Sequence, residues 1–288
     1  MSLENRFRIG ELSRRSGVSP DLLRAWERRY GLLEPSRSAG GLRLYSEEDV
    51  VRVRAMQSQL EAGLAAAEAA AVAVSARAGA AEGVGDAPAL RRALDTALLG
   101  YDEAGAHAVF DTLMARLSLD AVLGDVVVPL LHDIGERWER GEITIAQEHF
   151  ASTVLRGRLL GLARGWGVGF GPLALLACAP GEQHDLGLLA FGLALRGRGW
   201  RIVYLGPDTP VASVAEAAHT SRPRRVVVSA VDPGALESHR GELLDLAREH
   251  PLAVGGAGVQ ELDWGADVLV LGDGPIEAAD LVTSLVRA

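Results

Sequence analysis

Hydrophobic and polar positions change rhythm three times along the chain. Between Ile9 and about Gly63, apolar residues recur at helical spacing in short bursts broken by Gly17, Ser19-Pro20 and Gly31, which predicts short helices. Helical periodicity then fills four segments, about 89–99, 102–116, 118–140 and 144–166, the pattern of a four-helix bundle. Beyond these, apolar runs at 173–179, 201–205, 224–231, 251–255 and 267–271 alternate with helical stretches, as in a doubly wound, Rossmann-like unit with five parallel strands. The expected fold is multidomain, α and α/β. Its expected parts are a DNA-binding head over 1–77, a linker over 78–88, the bundle over 89–167 and the sheet domain over 168–288.

The head supplies the first chemistry. A helix over Ile9–Ser16 stops at Gly17, and Ser19-Pro20 offers an N-cap and a first-turn proline for a second helix reaching Tyr30. Two short helices about a glycine turn form a helix-turn-helix, and Leu32–Tyr45 reads as two extended pieces around Gly40-Gly41, a wing. Ser46-Glu47-Glu48-Asp49 then caps a helix with Val50, Val53 and Leu60 among its apolar positions. This order, with Arg24-Ala25-Trp26-Glu27-Arg28-Arg29-Tyr30, resembles the winged helix-turn-helix of the MerR family. Arg24, Arg28, Arg37 and Arg43 are the expected phosphate or base contacts. Tyr45 is placed with them in the DNA-facing set, although it and Trp26 suit packing better than base stacking.

Charge changes this picture only when divided. The net charge of -9 argues against a nucleic-acid binder, but residues 1–54 hold eleven arginines against eight acidic residues, leaving a basic head on an acidic body. There is no lysine, which excludes Schiff-base chemistry, and the single cysteine, Cys178, excludes intrachain disulfides and thiolate cages. Met1–Arg6 carries no apolar signal core and no apolar run reaches about 18 residues, so a cytoplasmic protein without a membrane span is expected.

Four loops at strand ends carry the second chemistry: Glu182-Gln183-His184-Asp185-Leu186-Gly187, Gly206-Pro207-Asp208-Thr209-Pro210, Ser229-Ala230-Val231 and Gly255-Gly256-Ala257-Gly258. Ligands bind doubly wound sheets at the carboxyl ends of the strands. No Gly-x-Gly-x-x-Gly follows the first strand, which disfavours a dehydrogenase. Together these loops resemble the cobalamin-binding domain of methionine synthase and related B12 proteins, whose pattern is Asp-x-His-x-x-Gly, Ser-x-Leu and Gly-Gly. Glu182 replaces the aspartate and Val231 the leucine. The resemblance implies that His184 binds cobalt from below, that Glu182 or Asp185 holds its other ring nitrogen, and that Gly187, Ser229, Gly255 and Gly256 accommodate the displaced nucleotide tail.

In the bundle, Thr144-Ile145-Ala146-Gln147 has the form of a capping box, setting Glu148 and His149 in a first helical turn close behind the loop after Trp138. Such a cluster is equally an ordinary packing group. Trp138, nine residues, then Glu148-His149 is similar to the pattern of the CarH/LitR group of MerR-type B12 photoreceptors, where these residues cover the adenosyl face of the cofactor. There a histidine directly after the tryptophan binds cobalt once light has acted; here that position is Glu139. His132 lies roughly 10 Å back along the helix, leaving His149 as the replacement candidate.

The resemblance implies a transcriptional repressor that binds adenosylcobalamin, assembles into a homo-oligomer, by family precedent a tetramer, on promoter DNA in the dark, and is dismantled by light. Two alternatives stay open: a repressor sensing B12 or another chromophore without light, and a corrinoid enzyme subunit.

Overall fold

A computed structural model describes residues 6–33, 35–37, 41–61, 66–67, 69–70, 73, 87–259, 262–272 and 274–287. Most of the expected linker, 78–86, lies outside the described residues, as do 38–40 of the wing turn, the Arg37 side chain and Asp273. Two compact units emerge, residues 1–86 with 112–118, and 87–111 with 119–288.

In the first unit, α1 (Ile9–Ser16) ends at Gly17 with φ 74°, and α2 (Pro20–Tyr30) begins where the Ser19 side chain accepts the Leu22 N–H. Gly17 adopts the left-handed conformation that a tight inter-helix turn demands. Strand β1 (Ser36–Arg37) pairs antiparallel with β2 (Arg43–Leu44), Arg37 opposite Arg43, and Tyr45 bridges to Phe7. Helix α3 (Glu47–Glu61) follows. Leu12, Leu23, Trp26, Tyr45, Val53 and Met56 are buried together, so the apolar stripes of all three helices share one core.

The second unit opens with α4 (Ala87–Leu99) and most of α5 (Glu103–Arg116), whose residues from Thr112 onward are grouped with the first. The third expected helix is interrupted: Leu119–Ala121 runs into a π-helical turn, Val122–Val127, before α6 (Val128–Glu139). Pro129 accounts for the break, because it cannot donate to the carbonyl four residues back and its ring crowds that carbonyl; a wider turn relieves both. Helix α7 (Ile145–Leu162) starts with the expected capping box and ends four residues earlier than its periodicity suggested.

The sheet follows as β3 (Leu173–Cys178), α8 (Leu186–Gly197), β4 (Arg201–Gly206), α9 (Val211–Ser221), β5 (Arg225–Ser229), α10 (Pro233–Ser238), α11 (Arg240–Glu249), β6 (Leu252–Gly255), β7 (Leu269–Val270) and α12 (Pro275–Arg287). All five strands are parallel in the order β4-β3-β5-β6-β7. Leu175 and Ala177 face the layer built on α9, α10 and α11, whereas Leu176 lies under α8 at Gly192. With both faces covered, β3 is buried along its whole length, as parallel strands require. The chain reverses its winding direction between β3 and β5, and the crevice above their carboxyl ends is where such sheets take ligands.

Candidate functional site

The loop after β3 is organised around one carboxylate. Glu182 is 2% exposed. Its Oε1 accepts the His184 backbone N–H at 2.7 Å and lies 2.7 Å from His184 Nδ1; its Oε2 accepts the N–H groups of Val231 (2.7 Å) and Asp232 (3.0 Å). One side chain therefore ties the loop after β3 to the loop after β5, across the switch point. Burial pushes the Glu182 carboxyl up, but these hydrogen bonds outweigh it and hold the group below the usual carboxylate range. A carboxylate only accepts, so Nδ1 carries the ring proton and donates it, leaving the Nε2 lone pair unencumbered by this contact.

The His184 side chain is 72% exposed, although its partner is buried. An exposed imidazole whose tautomer is fixed by a buried carboxylate suits a metal ligand with an oriented outer partner. Among the described residues no group of three His, Cys, Asp or Glu could hold a bare ion. The donor set fits a metal that brings its equatorial ligands with it, as cobalt in a corrin does.

Asp185 has a different job from the one expected. It is 3% exposed and receives Arg156 Nε at 2.8 and 3.0 Å, Arg156 Nη2 at 2.7 Å and the Tyr204 hydroxyl at 2.7 Å. It does not serve as the His184 partner: its oxygens are taken by Arg156 and Tyr204, and His184 Nδ1 meets Glu182 instead. A second tie that sequence reasoning missed comes from Asp208, which accepts the Gly181 N–H at 2.7 Å and donates its own N–H to the Glu182 carbonyl at 2.8 Å. Nothing in the local pattern of either segment announces that pairing.

The glycines divide. A Cβ at Gly187 would meet nothing within 4 Å, so the first turn of α8 leaves open space at this position. Gly256 is instead held by the fold: its φ is 99° and a Cβ would come within 2.2 Å of the Ala230 carbonyl oxygen. The clearance role expected for it gives way to close backbone packing. Gly255 is buried against Leu271, Ser229 lies 3.8 Å from the buried thiol of Cys178, and Val231 is half exposed.

In the bundle, Trp138 is 44% exposed, an uncovered position for a large apolar ring, and Glu139 beside it is exposed. Thr144 and Gln147 complete their reciprocal cap, and Gln147 Nε2 reaches the Leu99 carbonyl at 3.0 Å, fixing the turn that carries Glu148 and His149. Glu148 accepts from Ser152 at 2.5 Å, and His149 Nε2 lies 3.6 Å from its other oxygen with the imidazole largely exposed.

In the first unit, Arg24 and Arg28 are exposed on α2, Arg24 beside Asp21 at 3.2 Å. Tyr45 does not join them: it is 1% exposed and its hydroxyl donates to Glu27 at 2.8 Å. Burial, then the Glu27 bond, pushes that phenol well above its usual range, so the ring is a neutral core group rather than a DNA contact. Glu27 also holds Arg43 at 3.0 Å, fastening the wing to the second helix of the helix-turn-helix.

Comparison with known proteins agrees with these parts. Residues 7–74 match the MerR HTH family regulatory protein model, and 90–160 and 172–282 each match a B12 binding domain. The chain is 35% identical over 268 residues to the HTH-type transcriptional repressor CarH of Myxococcus xanthus, spanning 88% of this chain and 90% of that one. It is 34% identical over 261 residues to the HTH-type transcriptional repressor CarA of the same organism, with 88% of each covered. Among solved structures, the Methanosarcina barkeri monomethylamine corrinoid protein is similar in fold, with TM-score 0.55 and 20% identity over 67% of this chain and 96% of that one. The chain belongs to the CarH-type group of MerR-family regulators that carry B12-binding domains.

Proposed function

We propose that this protein is a transcriptional repressor that binds promoter DNA through its N-terminal unit and adenosylcobalamin through its second unit, with His184 as the lower cobalt ligand. The observation that carries this reading is the Glu182–His184 pair, which presents an oriented imidazole at the sheet's switch point. Trp138, Glu148 and His149 are the groups suited to the upper face: an exposed indole for apolar cover, a carboxylate to accept from ribose or amino groups, and an imidazole. Gly187 leaves room for the nucleotide tail. Bound adenosylcobalamin supplies a cobalt–carbon bond that light can break.

The readout is a shift between assemblies, and only a ligand with different affinities for them can move it. In the dark, Trp138, Glu148 and His149 hold the adenosyl face and favour a homo-oligomer, a tetramer in this reading, on the operator; loss of that group removes their partner. Size-exclusion chromatography of the reconstituted protein before and after illumination tests this. A shift to smaller species after photolysis is expected, and an unchanged elution volume after complete photolysis contradicts it.

Glu139 supports a second reading. A carboxylate is a poorer partner for cobalt(III) than the family's imidazole, so a repressor that senses B12 without light is favoured if illumination leaves DNA binding unaltered. No helix among the described residues is long and apolar enough to cross a membrane.

A further inference from the structure

The polar cluster around Asp185 is used by none of the roles above, yet it joins the residue after His184 to the helix that carries Glu148 and His149. Asp185 directly follows His184 and begins α8. Its carboxylate is gripped by Arg156 through three contacts of 2.7 to 3.0 Å and by the Tyr204 hydroxyl at 2.7 Å. The ring of Tyr204 in turn packs edge-on against Trp166, with centroids 5.8 Å apart. Arg156 belongs to α7, the uninterrupted helix that carries Glu148 and His149 in its first turn.

Helical geometry makes that connection directional. Arg156 follows His149 by seven residues, about two turns, so those two side chains leave the same side of α7 roughly 10 Å apart along its axis, with Glu148 about 80° round the helix from Arg156. The N-terminal end of the helix is pinned by its capping box and by Gln147 on Leu99, so α7 behaves as a strut. Its other anchor on the His184 loop is the Arg156–Asp185 pair, where a planar guanidinium fixes direction as well as distance.

We propose that Arg156 is a positioning residue that sets the height of the Glu148–His149 turn above His184, so that the site is matched to a cobalamin bearing a bulky upper group. The proposal rests on His184 being the lower ligand and the Glu148–His149 turn facing the upper side. It predicts selectivity, which a purely stabilising ion pair would not supply: loosening the strut harms the ligand that must reach α7 and spares the one that need not.

The test is a dark titration of wild type, Arg156→Met and Arg156→Lys with adenosylcobalamin and, separately, hydroxocobalamin, following cobalamin absorbance. Arg156→Met is expected to lose about tenfold or more in adenosylcobalamin affinity, the usual scale for an outer partner of a metal site, with hydroxocobalamin affinity and the histidine-ligated spectrum retained. Arg156→Lys, which keeps the charge without the planar fork, should recover part of the loss. Equal losses for both cobalamins, or no loss of adenosylcobalamin affinity, overturn the proposal. If Arg156→Met does not fold, Tyr204→Phe carries the same comparison, since it removes only the hydroxyl on Asp185. A wild type that binds neither cobalamin overturns the functional reading and this inference with it, and differs visibly from failure of the strut, where wild type binds both.

Discussion

His184 Nδ1 and Glu182 Oε1 lie 2.7 Å apart, one on an exposed imidazole and the other on a buried carboxylate. The second oxygen of that carboxylate is spent on the Val231 and Asp232 N–H groups, so the ring is oriented by the backbone of a different strand's loop. The aspartate of the cobalamin-binding pattern is replaced here by a residue one methylene longer, and the reach to both loops is still made.

Removing Glu182 should therefore do two separable things. Glu182→Ala leaves three backbone N–H groups, those of His184, Val231 and Asp232, without their acceptor, which costs about 1–3 kcal/mol for each buried donor that water does not reach. Chemical denaturation of the unliganded protein checks this. Glu182→Gln keeps the volume and one acceptor oxygen but turns an NH2 donor toward the remaining N–H groups, so only part of the stability should return, while cobalamin affinity stays about tenfold or more below wild type because the ring's orienting charge is gone.

The two glycines separate folding from binding. Gly256→Ala forces a left-handed backbone and a Cβ into the Ala230 carbonyl, and should cost about 1–3 kcal/mol or more. Gly187→Ala meets open space in the first turn of a helix and should leave the unliganded melting temperature unchanged or raised. The same methyl should weaken cobalamin binding, which an absorbance titration measures. Unchanged affinity would mean that the tail passes elsewhere.

On the first unit, Arg28→Ala and Tyr45→Phe should fail in opposite ways. Arg28 is exposed on α2, so its loss should weaken operator binding and reduce the salt slope by about one if it contacts a phosphate. Tyr45→Phe deletes the buried bond to Glu27, lowering stability by about 1 kcal/mol while leaving the salt slope intact. Fluorescence anisotropy on operator DNA across salt concentrations, with melting curves, distinguishes the two.

Arg198 gives a pH-dependent prediction remote from the site. It joins Asp280 of α12 at 2.6 Å and Asp120 at 3.2 Å, and the hydrogen bond from Arg198, outweighing partial burial, holds the Asp280 carboxyl below its ordinary value. A depressed acid stabilises the fold above its unfolded pKa of about 3.9 and loses that contribution as pH falls through the folded value. The melting-temperature gap between wild type and Asp280→Asn should thus be constant near neutrality and close below about pH 4.

Much of this was legible in residue order. Gly17, Ser19-Pro20 and the Thr144/Gln147 cap act within a few residues of themselves, so local chemistry declares them. The five strands announce themselves because burial on both faces demands continuous apolar runs. What escaped were pairings between distant segments: Glu27 with Tyr45 and Arg43, Asp208 with Gly181, and Arg156 with Asp185. Each joins polar residues that look solvated in their own segments, and only the fold brings them together. The π-helical turn before Pro129 was missed for the opposite reason, since apolar periodicity persists through a widened turn.

The account turns on His184, and its most direct test is the dark absorbance spectrum of the protein reconstituted with adenosylcobalamin, compared between wild type and His184→Ala. Wild type should show cobalamin with its own benzimidazole displaced by the protein imidazole, and His184→Ala should bind weakly or return the benzimidazole-ligated spectrum. An identical spectrum and affinity in the two proteins would contradict it.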